Sequence, residues 1–102
     1  MQHDIFINPS LRTRAAFPFV AELQANIAEG RDRLVAPMAR FDSVPFTPGR
    51  LSPVIRHDGQ AYYLVVPHMG LLPRNRLTQS VGSVAQFRDE IIHAIDWLFS
   101  GI

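Results

Sequence analysis

The stretch SVAQFRDEIIHAIDWLFSGI, from Ser83 to Ile102, decides the fold, because it is the long segment of the chain with a helical period. Ser83 followed by Gln86 has the spacing of a capping box, in which the two side chains bind backbone N–H groups at the start of a helix. Gly101 suits the left-handed conformation that ends many helices. We therefore expect a C-terminal helix over about residues 84–100.

The two sides of this predicted helix differ in polarity, which indicates that one side packs on a core. The apolar stripe is Val84, Phe87, Ile91, Ile95 and Leu98, and the polar side is Gln86, Asp89, Glu90, His93 and Asp96. Trp97 falls outside the stripe, at about 140° from its centre on a wheel of about 100° per residue. The pattern therefore gives Trp97 no predicted partner within its own domain.

The end of the sequence is apolar and allows two interpretations. Phe99, Gly101 and Ile102 follow Trp97 closely, and a carboxylate on Ile102 would lie at the negative end of the helix dipole, at a cost of roughly 0.3–1 kcal/mol. Stability alone therefore does not select this arrangement. An exposed apolar end beside Trp97 and Phe99 is typical of a protein-binding hot spot. The alternative is an ordinary helix stop.

Composition limits the class of protein. The chain has 102 residues, 47% of them hydrophobic, and a net charge of +1, so we expect one domain over residues 1–102 with a modest core. It has no lysine and no cysteine, which excludes lysine-dependent phosphate loops, Schiff bases, disulfides and thiolate sites, and which favours the cytosol. Met1–Pro9 does not resemble a signal peptide, and Ala61–Pro67 is too short to span a bilayer. We therefore expect a soluble, cytoplasmic protein with no membrane partner.

Upstream of the helix, short β-prone runs alternate with turns. Asp58-Gly59 between the runs Pro53–Arg56 and Ala61–Val66 is a strong hairpin signal. Both faces of Tyr62–Val66 are apolar, which predicts that the helix covers one face and makes a second protomer the candidate cover of the other. The remaining predicted strands are Asp4–Ile7, Phe19–Leu23, Arg33–Met38 and, more weakly, Leu71–Val81. This order predicts a mainly β fold with a C-terminal α-helix, built as a bent sheet or open barrel.

Few residues are candidates for chemistry. The four histidines lack the spacing of metal ligands, so we expect no metal, no cofactor and no catalytic residue. His57 beside Asp58 is either an acid–base pair or part of the turn geometry. The three Arg-x-Arg pairs either line a groove for RNA phosphates or are solvated on loops; they are Arg12 with Arg14, Arg31 with Arg33, and Arg74 with Arg76.

The chain resembles the CcdB family of bacterial toxins, which are encoded with a CcdA antitoxin and poison DNA gyrase. The resemblance spans nearly the whole length and is strongest at the end of the sequence. It is carried by Phe19, Val20 and Gln24, by Arg33, Leu34, Val35, Ala36 and Pro37, by Pro53, Val54, Ile55, Asp58 and Gly59, and by Asp89, Ile91, Ala94, Ile95, Phe99, Gly101 and Ile102.

The resemblance implies an SH3-like barrel shared with MazF-type ribonuclease toxins, a homodimer, and no direct sequence-specific binding of nucleic acid. It also implies a toxin that binds the A subunit of DNA gyrase and traps the enzyme with its DNA cleaved. The gyrase-binding positions that it implies are Ile27, Asp96, Phe99, Ser100, Gly101 and Ile102. The family's best-known member has tryptophan where Ser100 stands and asparagine where Asp96 stands, so we expect Phe99, Gly101 and Ile102 to make the main contacts. Replacement of that tryptophan by Trp97 would require an unwound last helical turn.

The implied antitoxin is a disordered, largely acidic tail of the CcdA type that folds along the dimer, and Ile92 and Trp97 are candidates for its contacts. Two other functions stay open at this point. One is a MazF-like mRNA endoribonuclease that uses the arginine pairs and a His57-like group for proton transfer. The other is an inactive chromosomal relic that acts only as a binding module.

Overall fold

The computed structural model describes residues 2–27, 32–42 and 49–101. Within these ranges, seven strands form one antiparallel sheet in the order β4-β5-β3-β2-β1-β7, and β6 pairs with β3 beside this path. The elements are β1 (Asp4–Ile7), β2 (Phe19–Ile27), β3 (Asp32–Arg40), β4 (Val54–His57), β5 (Gln60–Leu64), β6 (Gly70–Pro73), β7 (Gly82–Ser83) and helix α1 (Arg88–Ser100). This arrangement confirms the predicted mainly β fold with a C-terminal helix.

The sheet curves until its two edge strands nearly meet. The imidazole of His57, at the end of β4, lies directly on Gly82 in β7, so closely that a Cβ atom on Gly82 would be 2.7 Å from His57 Cε1. The same ring packs edge-on against Phe19 with a centroid separation of 4.9 Å, and His57 is buried. One histidine side chain therefore fills the seam of a nearly closed barrel.

The hairpin between β4 and β5 confirms its prediction. His57 pairs with Gln60 across a loop of two residues, Asp58 and Gly59, whose φ angles are +52° and +79°. Positive φ at both positions is the type I′ geometry that matches the twist of the flanking strands, and aspartate and glycine tolerate it well.

Helix α1 covers the inner face of the barrel, but it begins later than predicted. The N–H of Val84 donates to His3 O at 2.8 Å, which holds Val84 on the sheet, and a 3₁₀ turn over Ala85–Phe87 precedes the first α-helical residue, Arg88. Ser83 Oγ accepts from the N–H of Ala85 at 3.1 Å, so it serves this turn. The core between helix and sheet includes Ile5, Ala21, Leu23, Ala36, Met38, Ile55, Tyr62, Leu64, Val66, Val84, Ile91 and Ala94.

The outer face of the sheet carries its own apolar clusters. Tyr63 and Val65 pack with Ala39 and with Phe17, and the ring of Phe41 stacks on Tyr63 at 4.2 Å between centroids. The chain itself therefore supplies cover that the sequence pattern assigned to a second protomer. Another outer cluster contains Phe6, Val20, Val35 and Leu77, with Leu72 against it.

The single strand predicted over Leu71–Val81 is wrong. The chain leaves β6 at Pro73, forms a 3₁₀ turn over Arg74–Arg76, and returns to the sheet only at β7. The turn buries Leu77 in the outer cluster with Phe6, which an extended strand would not do. None of the described helices has the length or apolarity to cross a membrane.

Candidate protein-binding site at the helix end

The most exposed aromatic side chain of the described chain lies at the end of α1. Phe99 is 73% exposed, whereas Ile91 and Ala94 are buried and Ile95 and Leu98 pack against the core. Because successive residues of a helix point about 100° apart, Phe99 leaves the buried stripe directly after Leu98. Core packing thus fixes the helix and presents this ring to solvent.

Gly101 ends the helix in the predicted left-handed conformation, with φ +70°. Its N–H donates to Trp97 O at 3.0 Å, and the last turn of α1 is intact through Ser100. Trp97 therefore does not replace a side chain at position 100 by unwinding that turn. We call residues Phe99–Gly101 the tip. The other predicted contacts, Ile102 and the side chain of Ile27, lie outside the described residues.

Ser100 and Asp96 lie beside the tip and are linked to each other. Ser100 Oγ donates to the backbone oxygen of Asp96 at 2.6 Å, a bond of the kind that serine makes to the preceding turn of a helix. The hydroxyl is thereby oriented back along the helix. The Asp96 side chain is exposed. Position 100 contributes a small polar group next to Phe99.

A groove runs along the polar side of α1. The guanidinium of Arg50 lies 4.3 Å from the centroid of the Trp97 ring, a cation–π contact. The groove has a volume of about 670 Å³ and is lined by Arg50 and Pro53 on one side and by Glu90, His93, Asp96, Trp97 and Ser100 of the helix on the other. We call it the Arg50–Trp97 groove. It gives Trp97 the partner that helical periodicity alone did not predict.

The structure separates the two residues predicted to contact an antitoxin. Trp97 is half-buried in the groove, while Ile92 is an exposed helix residue outside it. Five positions along a helix correspond to a rotation of about 140°, so the two side chains face different directions. A single small contact patch does not include both.

The arginine pairs are engaged within the chain. Arg14 Nε donates to Asn8 O at 2.8 Å, and Arg74 Nη1 donates to Leu77 O at 2.9 Å. Arg33 Nε lies 3.6 Å from Glu22 Oε1, a carboxylate that is fully buried. In each pair, one described arginine therefore serves the fold, and Arg31 lies outside the described residues.

The His57 ring has a structural position in the barrel seam. It is packed among Phe19, Tyr62 and Gly82, and only its neighbour Asp58 is exposed, at 3.7 Å between His57 Nε2 and Asp58 Oδ2. A general acid or base must reach a substrate, and this ring is enclosed by the fold. The geometry thus favours the turn interpretation of His57 and Asp58.

Comparison with known proteins gives one finding of similarity. The family model described as CcdB protein matches residues 2–101, which is nearly the whole chain. No curated protein matches the sequence.

Proposed function

The chain belongs to the CcdB family of toxins of toxin–antitoxin systems, and we propose that it poisons DNA gyrase. In this proposal it binds the A subunit of DNA gyrase through the end of α1 and traps the enzyme with its DNA cleaved. Residues 1–102 act as one toxin domain, the active form is a homodimer, and a CcdA-like antitoxin neutralises it.

The observation that carries the proposal is the exposed ring of Phe99 at the end of a helix held by the core. Burying a phenylalanine side chain gains about 1.5–3 kcal/mol, and this gain is available only to a partner that covers the tip. Interfaces concentrate their energy in a few such aromatic anchors. A rigid helix that presents one is therefore suited to binding a protein.

We assign Phe99, Gly101 and Ile102 to the main contact, with Asp96 and Ser100 at its rim and Ile27 as a further contact that follows from the family resemblance. Ser100 is smaller than the tryptophan of the family's best-known member and is bonded back to Asp96. Phe99 then carries most of the aromatic contact area. We expect weaker binding to gyrase than a tryptophan would give, or a gyrase adapted to this tip.

The proposal is tested by inducing the chain without its antitoxin and measuring growth, DNA breaks and RNA integrity. Double-strand breaks with intact RNA support gyrase poisoning. Cleaved RNA with intact DNA would instead identify a ribonuclease. Normal growth in cells that accumulate the folded protein would identify an inactive relic.

The site is tested with Phe99→Ala and Gly101→Arg, both of which should abolish the DNA breaks while leaving the fold unchanged by circular dichroism. A Cβ atom on Gly101 meets nothing within 4 Å, so the arginine side chain projects into solvent at the tip. Leu11→Ala is a matched control, because Leu11 is an exposed apolar residue of the loop before β2. Full toxicity of both tip variants would show that the tip is not the binding site.

A further inference from the structure

A second apolar surface lies on the outer face of the sheet, on the side opposite α1. It contains a pocket of about 280 Å³ whose floor includes Val20, Val35 and Phe17. Leu71 lines the pocket and is 56% exposed. We call this site the outer-face pocket. It shares no lining residue with the tip or with the Arg50–Trp97 groove.

Two arginines are held beside this pocket by contacts within the chain. Arg14 donates to the backbone oxygen of Asn8, a residue that lines the pocket. The guanidinium of Arg74 lies 5.8 Å from the ring centroid of Phe6, which belongs to the same apolar cluster as Val20 and Val35. These contacts orient the two guanidinium groups before any partner binds, which lowers the ordering cost of binding.

The surroundings of the pocket are basic. Arg12 and Arg76 are exposed and each is two residues from one of the held arginines. The carboxylates of β2 and β3 in the described ranges are Glu22, which is buried beside Arg33, and Asp32, at the far end of β3. The positive charge on this face therefore exceeds the negative charge.

We propose that the outer-face pocket docks an acidic, amphipathic peptide segment supplied by the antitoxin. An apolar side chain of the segment enters the pocket against Val20, Val35 and Leu71, and its carboxylates pair with Arg12, Arg14, Arg74 and Arg76. The inference rests on the proposed toxin–antitoxin function for the source of the segment, and it does not require that gyrase is the target.

Two other occupants fit the surface less well. A second copy that docks symmetrically through this face would bring arginines against arginines, which is repulsive. RNA would require exposed aromatic rings for base stacking, but Phe17 is half-buried and its ring makes an edge contact with His68. An apolar pocket between guanidinium groups is instead suited to a peptide with both apolar and acidic residues.

The experiment measures binding of the antitoxin encoded beside this chain to the full-length toxin by titration calorimetry at several salt concentrations. The test variants are Leu71→Asp and the double reversal Arg12→Glu with Arg76→Glu. All three positions are exposed, so the fold should be retained, which thermal unfolding checks. Arg56→Glu is the control, because Arg56 is an exposed arginine on β4.

We expect each test variant to weaken antitoxin binding by about tenfold or more and the double reversal to reduce its salt dependence, while the control stays within about twofold. Unchanged affinity of folded test variants would overturn the proposal, as would failure of the antitoxin to bind the parent chain. The same holds if the reversal changes only binding of a single-stranded RNA, or only the monomer–dimer equilibrium. If antitoxin binding depends on this face but the toxin causes no DNA breaks, the inference stands and the gyrase proposal fails.

Discussion

The tip and the outer-face pocket both present apolar side chains to solvent, but they differ in charge and in how they are held. Phe99 is positioned by the packing of α1 on the barrel core, and the nearby charges include the carboxylates of Glu90 and Asp96. Leu71 lies beside guanidinium groups that are held by bonds to backbone oxygens of the same face. One small barrel therefore carries two binding surfaces of opposite electrostatic character, which suit partners of different chemistry.

The largest effect is expected where both surfaces depend on the same packing. Ile91→Ala removes a side chain that is 1% exposed between α1 and the sheet, and it should cost about 2–5 kcal/mol of unfolding free energy. Urea unfolding measures this loss, and both binding activities should decrease with it. The adjacent Ile92→Ala, at a position that is 37% exposed, is the control and should change stability by less than about 0.5 kcal/mol. Equal losses at both positions would contradict the assigned packing of the helix.

The comparison itself is sharpened by a pair of exposed substitutions. Phe99→Ala should weaken gyrase binding by about 2 kcal/mol and leave antitoxin binding unchanged, whereas Leu71→Ala should do the reverse with a smaller loss, because leucine anchors contribute less. Both residues are exposed, so the unfolding free energy should change little. Binding of each variant to both partners, measured by surface plasmon resonance, gives the four values. Loss of both activities in either variant would show that the two surfaces are not separate.

The barrel seam gives an effect of intermediate size. Gly82→Ala places a methyl group 2.7 Å from His57 Cε1, so the ring must move, at a cost of about 1–3 kcal/mol. Gly70→Ala is the matched control, because a methyl group there meets nothing within 4 Å. Thermal unfolding compares the two variants. Equal melting temperatures would mean that the contact between His57 and Gly82 does not constrain the barrel.

A smaller effect is expected in the Arg50–Trp97 groove. Arg50→Ala removes the cation from the face of the indole, which should cost about 0.5–1 kcal/mol. Trp97 is the single tryptophan, so its fluorescence reports on this groove directly. The emission should change in Arg50→Ala and stay the same in the control Arg56→Ala. An unchanged spectrum in both would place Arg50 away from the ring in solution.

The smallest effect concerns the residue that connects the sheet to the start of the helical segment. Burial lowers the pKa of His3 below its ordinary value of 6.5, and the charge of Arg88 lowers it further, while Asp4 and Glu22 act in the opposite direction. Because the unfolded chain binds this proton more readily, the unfolding free energy is full above pH 6.5 and decreases as the pH falls below it.

Urea unfolding of the parent chain at a series of pH values near and below 6.5 measures this decrease. His3→Asn should reduce the dependence, and asparagine tolerates the positive φ of +73° at this position. Parallel pH profiles for the two proteins would show that His3 is not the group responsible.

Local patterns allowed part of this structure to be predicted. The Asp58-Gly59 turn has its expected form, because the two residues themselves favour positive φ. The stripe of α1 was also predicted correctly at Ile91, Ile95 and Leu98, since a helical period requires only neighbours along the chain. The start of the helix was not, because the bond from Val84 to His3 joins residues that are far apart in sequence.

The candidate site divides in the same way. An apolar helix end with Phe99 and Gly101 is visible in the sequence, and the family resemblance points to the same residues. The Arg50–Trp97 groove and the outer-face pocket are not visible, because arginine near tryptophan or leucine has no characteristic spacing when the partners lie on different elements. Those contacts depend on how the sheet curves.

The sequence by itself determined which segments become helix, hairpin and strand, and it determined that an apolar residue follows the buried stripe at the end of the helix. The tertiary structure decided which of these residues stay exposed, where the arginines lie and that the barrel closes on His57. The physical reason is range: turn and helix preferences act between residues a few positions apart, whereas burial and charge at a surface are set by distant segments that folding brings together.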